Sequence, residues 1–169
     1  MKKIFYLFFF SFFFSSFIYA QTDNINLEDL WLKGKYKTQS LGNIIHLNDG
    51  EHFVMRDSLK NIVEYEYSTG NPTKILLSME DFVSVSGLSS ASIEDISFSP
   101  DEKYLLLGTE STIIYRYSVS YKFLIWNINN KTVKPLSDKG SQRLATFSPQ
   151  GDKIAFVRGN NIFVKDFGS

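Results

Sequence analysis

Ile96–Leu107 reads Ile-Ser-Phe-Ser-Pro-Asp-Glu-Lys-Tyr-Leu-Leu-Leu, and it returns as Ala145–Val157, Ala-Thr-Phe-Ser-Pro-Gln-Gly-Asp-Lys-Ile-Ala-Phe-Val. Each copy is a short strand ending in phenylalanine (Phe98, Phe147), then Ser-Pro, then polar residues, then a second apolar strand. Proline presets φ for the second position of a tight turn, and Ser, Asp and Gly suit its other positions. Ile96 and Phe98 alternate with serines, so one face of that strand is apolar. A single hairpin is marginal in water. Two such units about fifty residues apart therefore predict a repeat architecture in which neighbouring units cover one another.

A weaker copy precedes these two. Ile44–Leu47 is strand-like, Asn48-Asp49-Gly50 is a strong turn signal, and Phe53–Met55 and Ile62–Tyr67 follow. Thr69-Gly70-Asn71-Pro72 makes another turn, before a strand over Lys74–Ser78. Aligning Leu47 with Phe98 and Phe147 gives spacings of 51 and 49 residues. Ser84–Ser92 reads as the link to the next unit. In the second unit Phe123–Ile128 is a strand, Asn129-Asn130-Lys131 a turn, and Val133–Leu136 an edge strand interrupted by Pro135. The third unit adds a strand over Ile162–Phe167. Four short strands per unit is the pattern of a β-propeller blade. The expected fold is all-β: a partial propeller of about three four-stranded antiparallel blades, near 42–80, 93–138 and an incomplete 142–169. Three blades do not close a ring of the usual four to eight, so the chain is expected to be the N-terminal piece of something longer.

Hydrophobic residues make up 43% of the 169, enough for a packed core. Cysteine is absent, which removes disulfides, zinc–thiolate sites and a cysteine nucleophile. Formal net charge is zero and no block of like charges points to nucleic acid. Residues 1–20 combine Lys2-Lys3, a phenylalanine-rich apolar run over Ile4–Ile18, and Tyr19-Ala20 before Gln21. That is the pattern of a cleaved signal peptide, leaving residues 21–169 as the mature part. The competing reading is a membrane anchor, for which the run is short; no stable anchor is expected. Asn24–Trp31 opens a short helix, with Asn26 as N-cap and Glu28 and Asp29 in the first turn.

Few residues carry chemistry. His46 and His52 lack a third ligand at metal spacing, so no metal or cofactor is expected. Asp101-Glu102 and Asp49-Gly50-Glu51 are acid pairs placed where hairpin turns need polar residues. Trp126 and Tyr65 fall at equivalent strand positions and read as core. No Gly-x-Ser-x-Gly elbow is present. Leu107 to Asn127 spans 20 positions against 9 for Val157 to Asp166, an extension of 11 residues in the second unit.

These residues resemble a known family. Phe-Ser-Pro-Asp and Phe-Ser-Pro-Gln-Gly are similar to the blade motif of TolB-like propellers and the prolyl oligopeptidase clan. A closer resemblance, to the bacterial branch of the dipeptidyl peptidase IV subfamily, rests on Leu27-Glu28-Asp29-Leu30-Trp31, Gly34-Lys35-Tyr36-Lys37, Leu41-Gly42-Asn43-Ile44 and Asn48-Asp49-Gly50-Glu51-His52. It continues through Ser97–Glu110, Tyr115–Ile128 and Leu144–Phe167. The resemblance implies an eight-bladed propeller followed by an α/β-hydrolase domain. The implied enzyme is an exported, periplasmic or extracellular, serine exopeptidase that releases X-Pro or X-Ala dipeptides and often forms a homodimer when full length. Its Ser-Asp-His triad and its paired amine-binding glutamates would lie beyond residue 169, so this chain alone is expected to be inactive. Within the chain, Tyr-Arg-x-Ser nine residues before the Ile-Trp-Asn-Ile strand puts Arg116 where the family's extension carries a substrate-binding arginine. The implied role is a hydrogen bond to a carbonyl of the peptide substrate. From position alone, Arg116 is a solvated loop residue, and Tyr115 and Tyr117 beside it read as packing. The alternative to a peptidase piece is a secreted TolB-like binding module with no catalytic domain.

Overall fold

The computed structural model describes residues 25–38, 41–88 and 93–167. The expected export signal lies outside them. The described residues 25–38 belong to one compact unit and those from Leu41 onward to another. The first unit carries α1 (Leu27–Trp31), capped as its sequence requires: the Asn26 side chain accepts a hydrogen bond from the Asp29 N–H at 2.7 Å. Asp29 also pairs with Lys33, one turn on, at 3.0 Å.

The second unit is three antiparallel meanders, in keeping with the all-β expectation. The first holds β1 (Ile45–His46), β2 (His52–Arg56), β3 (Ile62–Glu66) and β4 (Pro72–Leu77). The second holds β5 (Ile93–Phe98), β6 (Tyr104–Tyr115), β7 (Ser118–Asn127) and β8 (Thr132–Pro135). The third holds β9 (Arg143–Phe147), β10 (Lys153–Arg158) and β11 (Asn161–Asp166). Each strand hydrogen-bonds its sequence neighbour, so spatial order follows chain order in every sheet. The ends of β1, β5 and β9 meet around one cavity of about 290 Å³, lined by His46, Phe98 and Phe147 among others. The three sheets therefore fan out from their first strands.

The Ser-Pro turns are built alike. Ser99 Oγ donates to Asp101 Oδ1 at 2.7 Å and accepts from the Tyr104 N–H at 3.0 Å. Ser148 Oγ donates to Asp152 Oδ1 at 2.7 Å and accepts from the Lys153 N–H at 3.1 Å. The backbone closes each turn in the same way, with Glu102 N–H on Ser99 O and Gly151 N–H on Ser148 O. In the first sheet Leu47 makes these backbone bonds, its N–H to His52 O and its C=O from Gly50 N–H. Leu47 thus stands in the place of Ser99 and Ser148, and His46 in that of Phe98 and Phe147. The alignment of Leu47 with the phenylalanines slips by one: His46 faces Phe53 as Phe98 faces Leu105 and Phe147 faces Ile154. Successive turns also touch. The Asn48 amide donates to Pro100 O at 2.9 Å, and the Asn48 N–H donates to Glu102 Oε1 at 2.6 Å.

The core lies between the sheets. Leu105, Leu107 and Trp126 pack with Val54, Ile62, Leu76 and Leu77 between the first and second. Leu106, Phe123 and Ile125 pack with Ile154, Phe156 and Leu136 between the second and third. The alternation of a strand sends neighbouring leucines to opposite faces. Both faces are covered, so Leu105, Leu106 and Leu107 are each 0% exposed. Each such side chain contributes roughly 1.5–3 kcal/mol of burial.

One helix departs from the sequence reading. Met79–Ser86 forms α2, so residues 84–86 of the expected linker are helical. Its carboxylates Glu80 and Asp81 occupy the first turn, and Gly87 at φ 68 closes it in the left-handed conformation. Tertiary contacts hold it: Asn61 Oδ1 accepts the Met79 N–H at 2.9 Å, and Phe82 meets Trp126 edge-on at 6.1 Å. Trp126 is core, as expected, and its indole N–H donates to Leu76 O at 3.2 Å. Tyr65 is half-buried instead, stacked on Phe53 on the face of the first sheet turned away from the second.

Leu106→Ala should lower unfolding free energy by about 2–5 kcal/mol, because the site is closed on every side and cannot collapse. Ile113→Ala, at a residue 77% exposed, should change it by less than about 0.5 kcal/mol. Urea denaturation of both variants checks the contrast.

Candidate functional site

Among the described residues, the middle sheet narrows to two strands beyond Thr109. β5 ends its pairing at Ile93↔Thr109, while β6 and β7 run on as a ribbon to Tyr115↔Ser118. The ribbon is the extension expected from the sequence, and the register corrects its length. Leu107 pairs with Leu124, 17 positions on, and Phe156 with Phe163, 7 positions on, which leaves 10 extra residues. Leu107 is equivalent to Phe156, not to Val157, because the two Ser-Pro turns set the count. Arg116 and Tyr117 form the two-residue tip, and both are exposed.

Local chemistry bends this arm. Register shifts fall between Thr109 and Thr112 and between Ile113 and Tyr115, and Glu110 adopts φ 49. Such irregularities raise twist and re-aim a strand. Tyr117 of the tip lines a cavity of about 270 Å³ together with Asp95 of β5 and with Arg143 and Leu144 of β9. Tyr117, Tyr121 and Phe123 form its aromatic wall. Arg116 therefore stands next to the residue by which the ribbon reaches the cavity shared with the first strands of two sheets. No acidic side chain pairs with it among the described residues.

Among the described residues, the side-chain bonds that fasten the arm lie toward its base. Thr109 Oγ1 donates to Lys122 O at 2.8 Å, and Lys122 Nζ pairs with Glu110 at 2.6 Å. The Ser111 N–H reaches Glu94 Oε1 at 3.3 Å. The Tyr121 ring lies so close to Gly108 that a Cβ there would sit 3.1 Å from it and 2.8 Å from Asp95 Cβ, so only glycine fits. Burial, and then the carboxylates of Asp95 and Glu94, push the Tyr121 hydroxyl pKa up. It stays a neutral donor at this end. A second cavity, of about 300 Å³, opens between β2 and β5, where Arg56 and Glu94 meet apolar Ile45 and Val54. Burial pulls the Arg56 pKa down and Glu94 opposes it.

The remaining candidates are scattered. His52 Nδ1 bonds Asp49 Oδ2 at 2.6 Å inside the first turn, while His46 bonds the Tyr67 hydroxyl. Among the described residues, no group of three His, Cys, Asp or Glu is arranged to hold a metal. Asp101 completes the Ser99 turn, as Asp49 completes its own by accepting the Glu51 N–H at 2.9 Å. Sequence reasoning passed over Gln142. It is 1% exposed and bridges the arm to the third sheet, with Phe123 N–H on its Oε1 at 3.0 Å. A polar residue in a linker gives no periodic signal of burial.

Residues 99–169 match the family model described as the dipeptidyl peptidase IV (DPP IV) N-terminal region. The crystal structure of Porphyromonas gingivalis dipeptidyl peptidase 4 matches with a TM-score of 0.71 and 32% identity, over 85% of this chain and 20% of that one. A probable dipeptidyl-aminopeptidase B of Tuber melanosporum is 34% identical over 41% of this chain and 8% of its own length. One from Arthroderma gypseum is 29% identical over 61% and 12%. The chain is thus similar to the N-terminal propeller of dipeptidyl peptidase IV-like proteins, and it spans about a fifth or less of their length. No helix among the described residues is long and apolar enough to cross a membrane.

The Asp49–His52 pair titrates in opposite senses. The Asp49 hydrogen bond holds His52 above its ordinary value, and the His52 hydrogen bond holds Asp49 below its own. The raised histidine contributes stability below about pH 6.5 that is lost as pH rises through its folded value. The lowered aspartate contributes stability above about pH 4 that is lost as pH falls through its folded value. The turn should be firmest between the two. NMR titration of His52 should give an inflection above the ordinary histidine value, returning to it in Asp49→Asn.

Proposed function

We propose that this chain is the propeller portion of an exported serine-type dipeptidyl peptidase, and that it binds and orients the peptide without making or breaking bonds. The observation that carries the reading is the arm. A blade needs no ribbon beyond its sheet, yet this one carries an exposed arginine at the tip of such a ribbon. The similarity to dipeptidyl peptidase 4 supports the same reading. Arg116 has the right chemistry, since its guanidinium offers five donors in a fixed plane and a permanent charge, enough to hold a peptide carbonyl oxygen. With no acid pairing it among the described residues, those donors face a ligand without first breaking an ion pair. The cavity lined by its neighbour Tyr117 adds the apolar face of Tyr121 and the opposite charges of Arg143 and Asp95.

Nucleophile and general base would come from a hydrolase domain following the propeller. The contribution of this chain is alignment of the peptide before attack. Export to the bacterial periplasm or beyond is part of the proposal, supported by Lys2-Lys3 and the apolar run that follows. Assembly as a homodimer of the longer protein is a further part.

The native gene product, purified from its source cells, should release X-Pro dipeptides from chromogenic X-Pro substrates, and residues 21–169 alone should not. In that product Arg116→Ala should lower kcat/KM about 10- to 100-fold, the loss of one charge-assisted hydrogen bond. The change should sit mainly in KM if carbonyl binding is equal in ground and transition states. Unchanged kcat/KM would remove Arg116 from the site, and absence of dipeptide release would remove the peptidase reading.

A further inference from the structure

We propose that Gln142 is the positioning residue of the arm: it fixes the base from which the ribbon projects and so sets where Arg116 stands. The inference rests on the reading of Arg116 as a peptide-binding residue. The outer edge of β7 is only partly covered. β8 pairs with β7 only as far as Leu124↔Pro135, after which the Leu136 N–H closes on Phe123 O at 2.9 Å. Toward the arm, no strand among the described residues pairs with β7 on that side. The next groups along this edge are Phe123 N–H and both polar groups of Tyr121, and Phe123 is 3% exposed. A buried N–H without an acceptor is destabilising, and a ribbon with an unpaired base has nothing to fix its direction.

Gln142 fills the gap by itself. Its N–H donates to Tyr121 O at 2.7 Å, and the Tyr121 N–H donates to Gln142 O at 2.8 Å, a one-residue piece of antiparallel sheet. Its side chain then continues the ladder where its backbone has ended: Oε1 accepts the Phe123 N–H at 3.0 Å. The other half of the amide is held too, Nε2 donating to Gly140 O. The amide therefore satisfies an acceptor and a donor requirement at once, at 1% exposure. A carboxylate would lose the donor and bury a charge, and methionine would keep the volume and lose both bonds.

The clamp has a firm mount. The crossover from β8 to β9 that carries Gln142 is pinned to the third sheet, where Arg158 Nη1 donates to Ser137 Oγ at 2.6 Å and Lys165 Nζ donates to Leu136 O at 3.0 Å. The Arg158 guanidinium in turn lies 4.1 Å from the centre of the Phe163 ring. Gln142 thus ties a two-stranded arm to a packed sheet, while its neighbour Arg143 lines the cavity under the tip.

The test uses the native gene product with Gln142→Met, Arg116→Ala and the double variant. Amide exchange followed by mass spectrometry should rise roughly five- to tenfold over residues 110–123 in Gln142→Met, as one or two net hydrogen bonds are lost, with residues 93–107 unchanged. KM for an X-Pro substrate should rise, and adding Gln142→Met to Arg116→Ala should bring no further loss of kcat/KM. Unchanged arm exchange, or losses that multiply in the double variant, overturn the inference. If Arg116→Ala leaves kcat/KM unchanged while arm exchange still rises in Gln142→Met, the peptide role of Arg116 is overturned and Gln142 stands as the holder of the arm. Should Gln142→Met fail to fold, Gln142→Asn, which stays polar and uncharged but is one methylene shorter than the reach to the Phe123 N–H, takes its place with the same outcomes.

Discussion

Leu105, Leu106 and Leu107 leave one strand in opposite directions, and every direction they take is buried. A sheet with water on one side would alternate apolar and polar residues. The middle sheet has a neighbour on each side, so its inner strands read as unbroken apolar runs, Leu-Leu-Leu in β6 and Phe-Leu-Ile-Trp in β7. The flanking sheets depend on this one for their cores, since Val54 and Leu77 on one side and Ile154 and Phe156 on the other have it as their partner. The same packing makes the middle sheet a stiff platform for anything that projects from it.

What was legible in the sequence was what is local. The Ser-Pro turns announce themselves because the serine hydroxyl, the following aspartate and the backbone satisfy one another within five residues. The Asn26 cap is legible for the same reason. The weak first copy slipped by one residue because Leu47 holds the serine position with no hydroxyl to mark it. α2 escaped notice because 8 residues are too few for a period to show, and its start and its buried Phe82 are held by Asn61 and Trp126 from elsewhere in the chain.

The site divides along the same line. The arm is visible as a surplus of residues between two strands, but its strand character is not. Thr-Glu-Ser-Thr-Ile-Ile-Tyr lacks clean alternation because the register breaks twice within it. Arg116 is marked only by resemblance, since an exposed arginine on a loop has no signature of its own. Gln142 had no signal at all. Its partners Tyr121 and Phe123 lie 21 and 19 positions away, and nothing in a polar linker announces a buried amide. Long-range polar contacts are what single-sequence reasoning cannot see.

The arm also differs from the rest of the fold in how it is held. Ile113, Tyr115 and Tyr117 are 77%, 75% and 92% exposed, so hydrophobic burial contributes little between Ser111 and Val119. An isolated two-stranded ribbon is marginal in water. The direction of this one is therefore set by a few hydrogen bonds at Thr109, Lys122 and Gln142, each worth about 1 kcal/mol net. Such an element opens locally at far less cost than the sheets beneath it. That is the stability of an element that can shift while its base stays in register. A stiffer arm would bury Ile113 and Tyr115, and would take Arg116 down with them.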